Sequence, residues 1–257
     1  MKITTLIENL VYKNGLLAEH GLSLYIETDT RKILFDTGQS GAFLQNARKM
    51  GVKIEEIDSV IISHGHYDHT GGLASFLMVN SKARVYMKKE ALTEKFDMSK
   101  RYIGIACNPE LLENRVEFIT DITEIDNGLF IVPDIPVLDS DDTHFRNFNE
   151  EFLDELYLAI TLDGELSIIT GCSHRGITNI MKSAKNYFNM PFNVVIGGFH
   201  TKDCTECQFN RITDYLMHNT PKSIGVCHCT GIEKYSSLSK LFGSKVFYNC
   251  TGTLVEI

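Results

Sequence analysis

The sequence predicts an α/β fold of sheets covered by helices, and two patterns predict it. In the last third, short apolar runs at 166–170, 193–196, 223–226 and 245–248 alternate with helix-like stretches near 177–188, 206–218 and 233–242. Such alternation suits strands backed by helices. Three of these runs also end in glycine or cysteine followed by histidine: Gly171-Cys172-Ser173-His174, Gly197-Gly198-Phe199-His200 and Cys227-His228-Cys229-Thr230-Gly231. Open α/β sheets gather ligands at the carboxyl ends of their strands, so these histidines are expected to converge on one crevice.

The first third reads as strands over 2–8, 23–27 and 32–35, each a short apolar or alternating run. Residues 43–50 have helical spacing, and 60–63 form a further strand. The segment 83–137 mixes short strands with a loop in which Lys88, Lys89, Lys95, Lys100, Arg101 and Tyr102 are interleaved with Tyr86 and Phe96. A charge run is most simply a solvated face. No internal repeat and no low-complexity linker interrupts the chain, so residues 1–257 are expected to form a single domain.

Composition narrows the class. With 43% hydrophobic and 23% charged residues the chain matches an ordinary globular protein, and its length allows a large core. No apolar run is long enough to span a membrane, and Met1-Lys2-Ile3-Thr4-Thr5-Leu6 is not a signal peptide. Seven cysteines is an odd number in a chain too long to need disulfide staples, so reduced thiols and a cytoplasmic location are expected. A formal charge of −8 disfavours nucleic acid as partner and leaves a small molecule as the expected one.

The densest chemistry is His64-Gly65-His66-Tyr67-Asp68-His69, directly after Val60-Ile61-Ile62. Imidazole and carboxylate are ligands that a borderline cation such as zinc prefers, and two ions can share such a cluster. A strand end would hold His64 and His66 on one side. Asp68 and His69 would then sit in the turn and first helical residues, before Thr70-Gly71-Gly72-Leu73 opens a helix. A core histidine explains one lone imidazole. It does not explain four ligand-type residues in six.

These residues resemble the H-x-H-x-D-H signature of the metallo-β-lactamase superfamily. The resemblance implies a metallo-β-lactamase-like αββα four-layer sandwich with metals at one edge between the sheets. It assigns His64 and His66 to one metal, and Asp68 and His69 to the second. Asp36, in Phe35-Asp36-Thr37-Gly38, matches an aspartate that lies under the metals and orients their ligands through hydrogen bonds. A later strand of the family supplies a bridging carboxylate, and here Cys172 stands in its place. The remaining ligand of the first metal is then His174, placed first, or Cys172, with His144 as an outside candidate. His228 best fits the histidine that completes the second site, and His200 is the alternative. His200 otherwise reads as a proton donor or substrate contact, and Asp68 as both ligand and catalytic group. Cys204-x-x-Cys207 with Cys227 and Cys229 offers four thiols, but the second spacing is poor for a structural metal or cluster. If His228 points into the site from an extended segment, Cys227 and Cys229 point away.

Within the superfamily, the motifs from Asp36 to Gly231 most resemble the dihydropterin-linking synthase branch, whose founding members join a dihydropterin to a ribofuranosyl-aminobenzene 5′-phosphate and release diphosphate. Three functions follow. The first is a hydrolase using two divalent ions, zinc or else manganese or iron, on a small phosphorylated substrate held by Lys100, Arg101 and Tyr102. The second is a dihydropterin-linking transferase. The third is a non-catalytic metal or redox sensor built on the cysteine pairs.

Overall fold

The apolar alternation resolves into two seven-stranded sheets among the described residues. The computed structural model describes residues 1–145 and 150–257. Contacts divide the chain into two units, Met1–Thr120 with Cys250–Ile257, and Asp121–Asn249. No helix among the described residues is long and apolar enough to cross a membrane.

The first unit holds β1 (Lys2–Ile7), β2 (Ser23–Glu27), β3 (Lys32–Phe35), β4 (Ser59–Ile61), β5 (Arg84–Met87) and β6 (Val116–Phe118). The second holds β7 (Thr123–Asp126), β8 (Leu129–Val132), β9 (Tyr157–Leu162), β10 (Glu165–Thr170), β11 (Phe192–Gly197), β12 (Ser223–Val226) and β13 (Val246–Tyr248). The last strand, β14 (Leu254–Glu256), returns to the first unit and pairs with β1, Lys2 opposite Glu256.

The two sheets repeat one pattern. Along the order β14-β1-β2-β3-β4-β5-β6 the first three pairings are antiparallel and the last three parallel. Along β7-β8-β9-β10-β11-β12-β13 the same sequence recurs. Parallel strands need crossover helices, which bury their apolar stripe on the sheet. The helix Ile177–Phe188 does so with Ile177, Ile180, Met181 and Ala184, spaced by three and four, against Val195, Phe199 and Ile224. In the first unit Phe43 and Ala47 of the helix Ala42–Lys49 join Leu34, Val60 and Phe76 in a separate core.

The expected strands and helices are found within a residue or two, and the α/β class with them. The strand β9 escaped the sequence reading although its signal was present. It is joined to β10 by Asp163-Gly164, one of the pairs most favoured for a two-residue hairpin connection. The strand expected over 60–63 is found as Ser59–Ile61, one residue shorter and ending before the histidines. The helix expected from Thr70 is broken in two, Tyr67–Thr70 and Leu73–Val79, at Gly71-Gly72.

Candidate metal centre

In each unit the notable side chains lie just past the carboxyl ends of neighbouring parallel strands. In the first unit β3 delivers Asp36 and β4 the histidine loop. Asp36 is fully buried with φ 59°. Its Oδ1 accepts from the Ser63 backbone N–H at 2.7 Å, and its Oδ2 from the Ser63 hydroxyl at 2.7 Å and His69 Nδ1 at 2.6 Å. With its one proton spent on Asp36, the Ser63 oxygen accepts from His64 Nδ1, 2.9 Å away. One carboxylate thus fixes two imidazoles, His69 directly and His64 through Ser63, each with its lone pair on Nε2. Thr37 pins the same turn, its N–H and hydroxyl donating to the His69 carbonyl at 2.7 and 3.0 Å.

His64, His66, Asp68 and His69 are all buried. His64 Nε2 lies 3.2 Å from His66 Nδ1, and Asp68 Oδ2 3.9 Å from His69 Nε2. Burial, and then the charges His69 and His66 would carry, push the His64 pKa well below its ordinary value, with Asp68 opposing. The neutral ring, the form that binds a cation, is therefore the stable one. Asp68 Oδ2 also meets Nε2 of the half-exposed His20 at 3.1 Å.

The loop of the basic segment rests on this motif. The Tyr67 N–H donates to the Ile103 carbonyl, and the Ile103 N–H to the Lys95 carbonyl, both at 2.9 Å. Lys95 itself is only 3% exposed. By contrast Lys100, Arg101 and Tyr102 are exposed. Arg101 is held by Asp97 at 3.0 Å with its guanidinium 5.6 Å from the centre of the Tyr67 ring, and Tyr102 donates to the Ile105 carbonyl at 3.0 Å.

In the second unit β10, β11 and β12 end in the three glycine- or cysteine-led turns. Ser173, His200 and His228 all take left-handed conformations, φ 56°, 50° and 52°. Non-glycine residues in that region collect where function demands a fixed direction. Cys172, His200 and Cys229 bring their donor atoms within 4.8 Å of one another. The His200 ring lies 4.4 Å from that of His174 and 4.3 Å from that of His144. His174 stacks on Phe152 at 3.9 Å and 4°. Its N–H and that of Arg175 donate to Glu155 at 2.7 and 2.8 Å. His144 anchors its backbone N–H on the His174 carbonyl at 2.9 Å and sets Nε2 3.2 Å from Gln208 Nε2.

Burial pushes His144 down to about 4 and Asp142 and Glu155 up to about 7. Because the folded His144 pKa lies below the unfolded value near 6.5, the unfolded chain takes the proton first. The His144 contribution is present above about pH 6.5 and lost as pH falls toward 4. The two carboxyls act in the opposite sense, stabilising at low pH and losing that as pH rises through about 7. The difference between wild type and His144→Gln isolates the histidine: their melting temperatures should converge as pH is lowered from 7 to 4. A constant gap across that range would refute neutral burial.

Comparison with known proteins places this geometry. A sequence model of the metallo-β-lactamase superfamily matches residues 17–153. An uncharacterized protein of Methanocaldococcus jannaschii, MJ0448, is 31% identical over 264 residues, covering 99% of this chain and all of that one. The chain belongs to the metallo-β-lactamase superfamily. The 7,8-dihydropterin-6-methyl-4-(β-D-ribofuranosyl)-aminobenzene-5′-phosphate synthase of the same organism is 27% identical over 262 residues, with 91% of this chain and 88% of that protein covered. Among solved structures, Tm1679, a metal-dependent hydrolase of the β-lactamase superfamily, is 32% identical, covers 100% of this chain and 99% of its own, and superposes with a TM-score of 0.87.

The superfamily implies divalent metal, and the donors of the first unit fit one. Two nitrogens sharing a tetrahedral ion at 2.0–2.1 Å stand about 3.3 Å apart, close to the 3.2 Å between His64 Nε2 and His66 Nδ1. The superfamily residues are present, but their backbone differs from expectation. His64 and His66 are not on a strand face, because β4 ends at Ile61, His64 lies in the bend that follows and His66 caps the helix Tyr67–Thr70. Cys172 and His174 do not share an extended face, because Ser173 turns left-handed between them. Left-handed His228 likewise breaks the alternation expected of Cys227 and Cys229, and Cys229 joins Cys172 and His200. That group contains neither Cys204 nor Cys207. Ser63, His20 and Phe152 were not singled out from the sequence: no motif marks them, and each acts through a contact with a distant residue.

Proposed function

We propose that this protein is a metal-dependent hydrolase acting on a small phosphorylated substrate through two divalent cations, zinc being the ion that the donor chemistry favours. In this reading His64, His66, Asp68 and His69 supply the ligands of the first unit, and His174, Cys172 and His228 those of the second. The observation that carries it is the Asp36–Ser63–His64 and Asp36–His69 relay, which holds two buried imidazoles in the tautomer that ligation requires.

Bound cations lower the pKa of water from about 16 to roughly 7 and so furnish hydroxide at neutral pH. The chain's own residues do the rest. Asp36 keeps the donor nitrogens aimed, and Asp68 stands beside them to accept the proton of the attacking water. His200 is the group for delivering a proton to the leaving oxygen. Lys100, Arg101 and Tyr102 offer cations and a ring to the phosphorylated end of the substrate.

A second reading rests on the 27% identity with the dihydropterin-linking synthase of Methanocaldococcus jannaschii. There the ions would clamp a diphosphate leaving group. Elemental analysis of the purified protein, beside a turnover screen of phosphomonoesters, phosphodiesters and a dihydropterin diphosphate, separates the two. Two ions per chain with ester turnover supports the hydrolase. Two ions with turnover only of a dihydropterin diphosphate supports the transferase. Asp68→Ala should remove one of the two ions and lower turnover on the order of a hundredfold or more. Retained occupancy of both would refute its role as ligand.

A further inference from the structure

We propose that Cys172 and Cys229 form a peroxide-reactive thiol pair, a modification site that closes to a disulfide across the end of β11. Its effect on cation binding rests on the reading above of Cys172 as a ligand. All seven cysteines are free thiols, and sequence spacing alone favours Cys204-x-x-Cys207 as the pair to oxidise. The fold brings a different pair together. Cys172 follows β10 and Cys229 follows β12, with β11 between them in the sheet. Strands two places apart lie about 9.5 Å from one another, too far for sulfurs to meet. Yet the Sγ atoms of Cys172 and Cys229 lie within 4.8 Å, beside a nitrogen of His200. The Cys229 thiol donates to the Cys172 carbonyl at 3.5 Å and so rests on the backbone of its partner. Gly198, in the turn after β11, makes this passage. A β-carbon added there would stand 2.4 Å from Cys229 Sγ and 3.5 Å from Cys172 Cα.

The two thiols differ in the way such a pair requires. Cys229 is partly exposed and meets the oxidant, whereas Cys172 is 3% exposed and lies behind it. Oxidant-sensing cysteines are reached by solvent and stand next to a resolving thiol. The Cys229 sulfur attacks one oxygen of hydrogen peroxide and the O–O bond breaks. The proton released by the thiol joins the departing oxygen as water, and a sulfenic acid remains. The Cys172 sulfur then attacks the Cys229 sulfur, the S–O bond breaks, and the hydroxyl leaves with the Cys172 proton as a second water. Two thiols have given up two electrons and two protons, and the peroxide is reduced to two waters. A disulfide holds its sulfurs about 2.05 Å apart. The bridge joins the ends of β10 and β12 and takes from Cys172 the thiolate that a cation would need.

The test is non-reducing peptide mapping by mass spectrometry of the full-length protein after stoichiometric hydrogen peroxide, with elemental analysis alongside. The peptides carrying Cys172 and Cys229 should be linked in wild type, and still linked in the Cys204→Ser/Cys207→Ser variant. Cys229→Ser should leave Cys172 reduced under the same treatment. A link between Cys204 and Cys207, with Cys172 and Cys229 both reduced, would overturn the assignment. Oxidation of Cys229 to the sulfinic acid with Cys172 untouched would overturn it too, since no resolving thiol had acted. Cation content should fall as the bridge forms and return with dithiothreitol. A bridge that leaves cation content unchanged would support the thiol pair and remove Cys172 from the ligands proposed above.

Discussion

Asp36→Ala is expected to weaken metal affinity ten- to a hundredfold and to cost about 3 kcal/mol or more of stability. Three donors lose their acceptor at once: the Ser63 N–H, the Ser63 hydroxyl and His69 Nδ1. All are buried, so water does not replace the carboxylate. The hydroxyl is then free to rotate, and the tautomer of His64 is no longer dictated. Alanine at φ 59° adds backbone strain of its own, whereas asparagine tolerates that conformation. Asp36→Asn therefore isolates the carboxylate: it should retain more stability than Asp36→Ala while still losing metal affinity. Chelator competition reads the first quantity and urea unfolding the second. Wild-type metal affinity in both variants would show that the relay does not aim the imidazoles.

Gly72→Ala should be comparably severe for a different reason. A β-carbon there would stand 2.2 Å from the Thr37 carbonyl oxygen, 2.5 Å from that of Ser40 and 2.7 Å from Phe43 Cε1. The first two are backbone atoms that cannot rotate away, and overpacking of this kind costs about 3 kcal/mol or more. Thr37 is also the residue that pins the His69 carbonyl, so the displacement reaches the donors. Gly15→Ala is the control for strain without a clash. Gly15 has φ 83°, whereas Gly72 is right-handed at φ −82°, but nothing lies within 4 Å of the carbon added at Gly15, so its penalty should stay at about 1 kcal/mol. Equal urea midpoints for the two variants would rule out the steric account.

The regular elements were legible because their signals are local. Apolar runs, helical spacing and the glycine-histidine endings together located most strands and the edge where ligands gather. The H-x-H-x-D-H spacing pointed to the family, and the four residues it marks, His64, His66, Asp68 and His69, are all buried. The directions of those donors were not legible. Ser173, His200 and His228 adopt left-handed conformations, and Cys229 stands with Cys172 and His200 where strand alternation from His228 would have turned it away. Likewise nothing in the basic segment distinguishes buried Lys95 from exposed Lys100, because the difference lies in what Gly65 leaves uncovered. Long-range partners such as Ser63 with Asp36 become readable only once β3 and β4 are side by side.

The return of β14 to β1 has a consequence for how the protein is made. The first unit is interrupted, its last strand following the whole of the second in the chain. On a ribosome adding roughly 5–20 residues per second, the outer side of β1 stays open for on the order of ten seconds after β6 emerges. Through that interval a nascent sheet presents unpaired backbone groups to its neighbours, the circumstance in which strands join the wrong partner. Yield from cells should accordingly depend on elongation rate and on holding chaperones more than on the stability of the finished molecule.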